Sequence, residues 1–140
     1  PGILGRQRAN KAAVKARIAD CGLSFRTVHD PDGDIADTLI FFLEEVFQAA
    51  AFVARLAEQG LGTKNLPDAL SWHFAGAWDH LFRDIPSLAH PGTRWPRTDA
   101  LLRRAIALPV NVTMSDEELA RVVDVVRTLA RGTKPLGVRG

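Results

Sequence analysis

Tyrosine is absent from this chain of 140 residues, and cysteine and methionine occur once each. The lone cysteine, Cys21, cannot close an internal disulfide and cannot assemble a zinc site by itself. It reads as a small residue near a helix end, and the composition fits a reducing cytoplasm. Long apolar runs are also missing. Thr38 to Leu43 has the length of a strand, and no run approaches the roughly 20 residues that cross a bilayer. No membrane partner is therefore expected. No basic-then-apolar leader opens the sequence, although a truncated start would hide one. Residue 1 is proline rather than methionine and the helical pattern begins at once, so the chain reads as a piece of something longer.

Charge of one sign is not concentrated anywhere. The formal net charge is +2, but the basic residues are scattered, with Arg6, Arg8, Lys11, Lys15 and Arg17 early and Arg94, Arg97, Arg103 and Arg104 late. No nucleic-acid module's motif is present, so a nucleic-acid partner is not expected. Catalytic signatures are lacking too: there is no nucleophile elbow, phosphate loop or dinucleotide fingerprint. Gly60-Leu61-Gly62 reads as a helix terminator. The four histidines, His29, His73, His80 and His90, stand at no zinc-binding spacing, and no metal site is expected.

What is present is an ordinary globular composition, 46% hydrophobic and 24% charged, enough for one domain with its own core. Gly5 to Asp20 reads as a helix: Ala9, Ala12, Ala13, Val14, Ala16 and Ile18 recur at helical spacing, with basic residues on the other face. Cys21-Gly22 ends it. Ser24 to His29 alternates like a strand, Asp30-Pro31-Asp32-Gly33-Asp34 is a turn, and Thr38 to Leu43 is a buried strand that can pair with the first. Glu44 to Gln59 is a second helix with Phe47, Ala50, Ala51, Ala54 and Ala57 along one side. Leu61 to Leu66 is short enough for a strand. Residues 67 to 99 are irregular, with one helical turn around Ala77 to Phe82.

Asp99 to Arg104 reads as a short helix and Ala105 to Val110 as a strand. Ser115-Asp116-Glu117-Glu118 is a capping box that opens a helix to about Arg131, with Leu119, Val122, Val123, Val126 and Leu129 inward and Gly132 as its stop. Few strands, linked as hairpins and mixed with helices, predict an α+β fold: a small, mainly antiparallel sheet flanked by helices and covered mainly on one face. Residues 1–132 form the domain and 133–140 a flexible tail.

The segment from Gly60 to His80 carries the functional interest. It sets Lys64, Asn65, Trp72, His73, Trp78 and His80 in a stretch without a clean period, where binding loops usually lie. Trp72, Phe74 and Trp78 fit core, interface or ligand contacts. His73 is open between a buried, hydrogen-bonded histidine and a site histidine. On these residues alone the reading stops at a soluble α+β domain with one functional-looking loop.

The order of four segments resembles the C-terminal small domain of the DegT/DnrJ/StrS family of sugar aminotransferases, which are fold-type I enzymes. Arg6-Gln7-Arg8-Ala9-Asn10 is similar to that domain's opening R-R-x-N. Leu56-Ala57-Glu58-Gln59-Gly60-Leu61-Gly62-Thr63 is similar to its L-x-x-x-G-I-x-T turn. Trp72-His73 falls where many members have P-L-H. Arg104 to Pro109, followed by Met114-Ser115-Asp116-Glu117-Glu118-Leu119, is similar to the family's closing L-S-L-P and S/T-D-E-E signature. The match spans nearly the whole chain. One departure stands out: the valine-histidine-tyrosine run common after the Gly-x-x-Thr turn is replaced by Lys64-Asn65-Leu66-Pro67-Asp68. The loop therefore faces an unusual substrate, and it is similar to the branch that aminates an eight-carbon sugar acid of lipopolysaccharide cores.

The resemblance implies pyridoxal 5′-phosphate (PLP) as cofactor, held by a lysine and an acidic group of a large domain upstream of Pro1. It implies no catalytic and no cofactor-binding residue in this chain. Lys64, Asn65, Trp72 and His73 would be substrate-binding, facing a sugar hydroxyl, phosphate or carboxylate. The implied partners are a keto sugar, glutamate as amino donor, the chain's own large domain and a second subunit in a homodimer. A PLP-dependent sugar dehydratase on the same fold and a binding domain that has lost the cofactor half are the alternatives.

Overall fold

A computed structural model describes residues 2–64, 66–88 and 93–133. Helix α1 (Ile3–Ile18) runs into a 3₁₀ turn at Ala19–Cys21. Strands β1 (Ser24–Phe25) and β2 (Thr38–Phe42) follow, then helix α2 (Val46–Glu58). The intermediate stretch holds short helices α3 (Leu70–His73), α4 (Asp79–Phe82) and α5 (Pro96–Leu102), with 3₁₀ turns at Ala75–Ala77 and Pro86–Leu88. Strand β3 (Ala105–Pro109) and helix α6 (Asp116–Thr133) close the order. The α+β expectation holds: the sheet has three strands in the order β1-β2-β3, antiparallel throughout.

The alternation of β2 decides which side of the sheet carries the core. Leu39 and Phe41 are buried, while Thr38, Ile40 and Phe42 are only partly covered. Leu39 sits opposite Leu108 and Phe41 opposite Ile106, so these four side chains share one face. That face receives Val14 and Ile18 of α1, Ala49, Phe52 and Leu56 of α2, and Leu119, Val122, Val123, Val126 and Leu129 of α6. Phe41 anchors the seam, its ring meeting Phe52 edge to face at 5.7 Å. The inward residues expected for α6 are all buried. Its capping box also forms: the Glu118 amide donates to Ser115 Oγ (3.2 Å) and the Ser115 amide to Glu118 Oε2 (2.8 Å).

Helix ends follow the backbone chemistry of their last residues. Gly22 (φ 77°) and Gly60 (φ 71°) occupy the left-handed region just past α1 and α2, where a Cβ is costly. Gly132 does not stop α6, which continues to Thr133. The tail read at 133–140 lies, from Lys134 on, outside the described residues.

Several sequence expectations need correction. The strand read at Ser24–His29 pairs only at Ser24 and Phe25; the Arg26 amide adds one bond to the Ile40 carbonyl (3.0 Å) before the chain peels away. No strand forms among the described residues of Leu61–Leu66, yet Lys64 and Leu66 meet the free edge of β3: Lys64 N donates to the Ala107 carbonyl (2.7 Å) and Ala107 N to that of Leu66 (3.2 Å). The alanine face of α1 is outside. Ala9, Ala12, Ala13 and Ala16 are exposed, and Gln7, Asn10 and Lys11 are buried beside Val14 and Ile18. A methyl group gains little from burial, so the helix turns toward carbonyls that lack donors. In α2 likewise, Phe47 is 72% exposed and Ala50, Ala51, Ala54 and Ala57 are exposed.

The buried polar row of α1 is a clamp. Gln7 Nε2 donates to the carbonyls of Ala36 (2.9 Å) and Val110. Asn10 Nδ2 donates to the Asn111 carbonyl (2.9 Å). Arg8 donates to the carbonyls of Asp34 and Asp32, and Lys11 Nζ pairs with Asp34 Oδ2 at 2.5 Å. These bonds hold the loop that connects β1 to β2, including Ala36, whose φ of 60° is left-handed for a residue with a Cβ. Such a conformation costs roughly 1–2 kcal/mol, offset here by bonds to both backbone groups of Ala36, its amide donating to Asp34 Oδ1 (3.0 Å).

Two predictions follow from the clamp. Gln7→Ala leaves two buried carbonyls without their donor and should destabilise the fold by about 1–3 kcal/mol, read as a lower urea midpoint at unchanged slope. The second concerns pH. Hydrogen bonding to Lys11, more than the Ala36 amide, holds the Asp34 carboxyl below its ordinary 3.8. A depressed carboxylate contributes stability above its unfolded value, and this is lost as pH falls through the folded one. Wild type should therefore exceed Asp34→Asn in urea midpoint at neutral pH, and the gap should close as the pH falls through the depressed range of the folded carboxyl. A gap independent of pH would remove the ion pair from the account.

Candidate functional site

The second face of the sheet lies opposite the helical core. Thr38, Ile40 and Ala107 lie on it, and Ile40 and Ala107 are direct cross-strand neighbours. Two irregular segments rise around this floor. One is the β1–β2 connection, which contributes Arg26, Thr27, Val28, His29, Asp30, Gly33, Asp34, Ile35 and Asp37; the other is the strip along β3, which contributes Lys64 and Leu66. Together they enclose an open cleft of about 600 Å³, within the roughly 300–1,000 Å³ range of small-molecule sites. The cleft exists because β1 is so short: had Arg26 to His29 continued the ladder, this rim would lie flat in the sheet.

Its polar groups are arranged by turn chemistry. Asp30 Oδ1 accepts from the amides of Asp32 (3.1 Å) and Gly33 (3.0 Å), fixing the turn that the sequence predicts. Asp37 stands at the start of β2, its Oδ1 accepting from Thr38 Oγ (2.9 Å) and its Oδ2 from Lys64 Nζ. The bond from Lys64, ahead of that from Thr38, holds the Asp37 carboxyl below its ordinary value. Lys64 and Asp37 are both about half exposed, so the pair orders two side chains at the mouth more than it stabilises the fold. Arg26 and His29 line the same cleft and make no side-chain hydrogen bond among the described residues.

The sequence-predicted site residues separate. Lys64 lines the cleft. Asn65 lies outside the described residues, as does His90. Trp72 and His73 end α3 and are exposed, Trp72 at 80%. Trp72 shares a second depression with Ser71, Trp78, His80 and Leu81. Phe74 is the aromatic that turns inward; it is 8% exposed and meets Trp95 edge to face at 6.4 Å. Gly76 lies against its ring, where any Cβ would come within 2.3 Å. The structure thus makes Phe74 the internal anchor of the 70–82 stretch and leaves Trp72 and His73 outward.

Sequence reading missed Arg26, His29 and Asp37. The available signal was the alternation of β2, which requires Thr38 and Ile40 to face away from the core, and with them whatever the neighbouring connection carries. Among the described residues no group of acidic, histidine or cysteine side chains is placed to hold a metal ion. No helix among them is long and apolar enough to cross a membrane.

Comparison with solved structures finds this fold within a larger one. A protein of Streptococcus pneumoniae described as a sugar aminotransferase, Spr1654, matches in its PMP form with a TM-score of 0.69 at 16% identity, over 95% of this chain. Its apo form matches with a TM-score of 0.65, also at 16% identity, over 93% of this chain. The chain spans only 32% and 31% of the Spr1654 chain in those two structures. At such identity the likeness is one of fold. The sequence profile of the DegT/DnrJ/EryC1/StrS aminotransferase family matches residues 2–127, and the chain therefore belongs to that family.

Proposed function

We propose that residues 1–132 are the small domain of a PLP-dependent sugar aminotransferase that moves an amino group from glutamate to a keto sugar. The match of residues 2–127 to the aminotransferase family carries this reading. The keto sugar would be a nucleotide sugar or an eight-carbon sugar acid destined for cell-surface polysaccharide or lipopolysaccharide, and the enzyme a cytoplasmic homodimer. The exposed apolar side of α2, with Val46 and Phe47 beside four alanines, supports the view that more protein packs on this piece, first of all its own large domain.

Among the described residues no lysine fits the role of imine partner to the cofactor. An imine-forming lysine needs a desolvated or cation-flanked amine. Among the described residues, Lys11 is paired with Asp34, Lys64 with Asp37, and Lys15 lies over the Phe25 ring. PLP supplies the electron sink for amino transfer when bound, and no step of that chemistry is assigned to this chain. Its role is to build a wall of the sugar site. Lys64 donates from the cleft mouth and Asn65 follows it in sequence, while Trp72 and His73 offer an aromatic face and a ring nitrogen from the separate surface of α3.

The test uses the longest protein encoded at this locus. With PLP added it should show a visible absorption band, and borohydride should fix the cofactor to a lysine outside residues 1–140. Bound cofactor that escapes trapping would favour the dehydratase, and no binding at all would favour a module without the cofactor half. In the same protein, Lys64→Ala and His73→Ala should each reduce kcat/KM for the sugar about tenfold or more with the absorption band intact. Unchanged turnover would remove that residue from the site.

A further inference from the structure

Around the cleft, acceptors and donors are unequally used. Asp34 Oδ1 and Oδ2 accept from the Ala36 amide and Lys11. Asp37 Oδ1 and Oδ2 accept from Thr38 and Lys64. Asp30 Oδ1 accepts two amides, and Asp30 Oδ2 accepts nothing among the described residues. The carboxylates are thus largely satisfied within the fold. The donors are not. The Arg26 guanidinium acts on Asp34 only through its charge and donates no hydrogen bond among the described residues, leaving its five N–H groups available. The His29 ring makes none either. Lys64 Nζ uses one of its three protons on Asp37.

We infer that the cleft on the open face of the sheet binds the anionic oxygen group of a polyhydroxylated ligand, with Arg26 as its fork, His29 and Lys64 as flanking donors, and Asp30 Oδ2 as acceptor for a neighbouring hydroxyl. The inference rests on the sugar-site reading above and adds to it the residues that meet the substrate's charge: its carboxylate or phosphate reaches Arg26 in the cleft. A guanidinium suits either group, because both offer paired oxygens to its planar donors. A neutral sugar would leave that fork unpaired. The floor of Ile40, Leu66 and Ala107, with Val28 and Ile35 at the rim, gives the carbon face of a sugar an apolar surface to rest on.

The experiment titrates the 140-residue chain with gluconate, glucose 6-phosphate, uridine diphosphate and glucose in 0.15 M salt, a level that screens exposed charges beyond about 8 Å. Amide chemical shifts are followed by NMR. The expected result is saturable movement confined to residues 26–30, 37–40 and 64 with at least one anion and not with glucose. Gluconate alone assigns a carboxylate, the two phosphorylated probes alone a phosphate. Arg26→Gln should weaken binding about tenfold or more, while Arg97→Gln, which removes the same charge from an exposed helix start, should not. Glucose binding as tightly as the anions, equal loss in both variants, or no saturable shift with any probe overturns the inference. An intact spectrum of each variant separates this from unfolding. Because the assay needs no PLP, its failure is distinct from failure of the aminotransferase reading, which the borohydride experiment decides.

Discussion

The cleft and the sheet beneath it depend on one set of contacts, the polar row that α1 turns inward. Gln7, Arg8, Asn10 and Lys11 reach the connection between β1 and β2 and the exit of β3. A connection of this length has little apolar content of its own and would otherwise fluctuate. Instead its carbonyls receive side-chain donors from a rigid helix, and its acidic side chains receive a lysine and their own turn amides. The family-like segment Arg6 to Asn10 is thereby explained as a structural device. It holds the rim on which Arg26, His29 and Asp37 stand.

The two faces of the sheet divide the labour. One is dry and takes three helices, with Phe41 against Phe52 and the valines of α6 above Ile106 and Leu108. The other carries Thr38, Ile40 and Ala107, which line the cleft together with the β1–β2 connection. The strip at Lys64 and Leu66 closes the free edge of β3 without adding a full strand. This protects an edge that would otherwise present unpaired groups, and it brings Lys64 to within reach of Asp37.

Much of the architecture was legible in the sequence because it follows from local periodicity. The capping box at Ser115, the five inward residues of α6, the turn at Asp30–Asp34, the pairing of the first two strands and the α+β class all come from short-range rules, and all are present. The failures have a common cause. Alanine is counted as apolar, yet it has little area to bury, so in α1 and α2 the alanine stripes predicted the wrong side. Buried donors of α1 and Phe52 of α2 instead settled the orientation, and their partners lie about thirty to one hundred residues away or on another element.

The candidate site shows the same division. The sequence by itself determined that the stretch after Gly60 is irregular, polar and aromatic, and that its signals occur in the order of a sugar aminotransferase small domain. It also determined the identity of every donor and acceptor. Only the tertiary structure decided which of them meet. It joined Lys64 to Asp37 across the sheet edge, set Arg26 and His29 beside them by ending β1 early, and turned Phe74 inward while leaving Trp72 and His73 on a separate surface. The physical reason is range. Helix and turn propensities are fixed by neighbours a few positions apart, whereas a cleft is assembled by strand register and buried hydrogen bonds between distant segments.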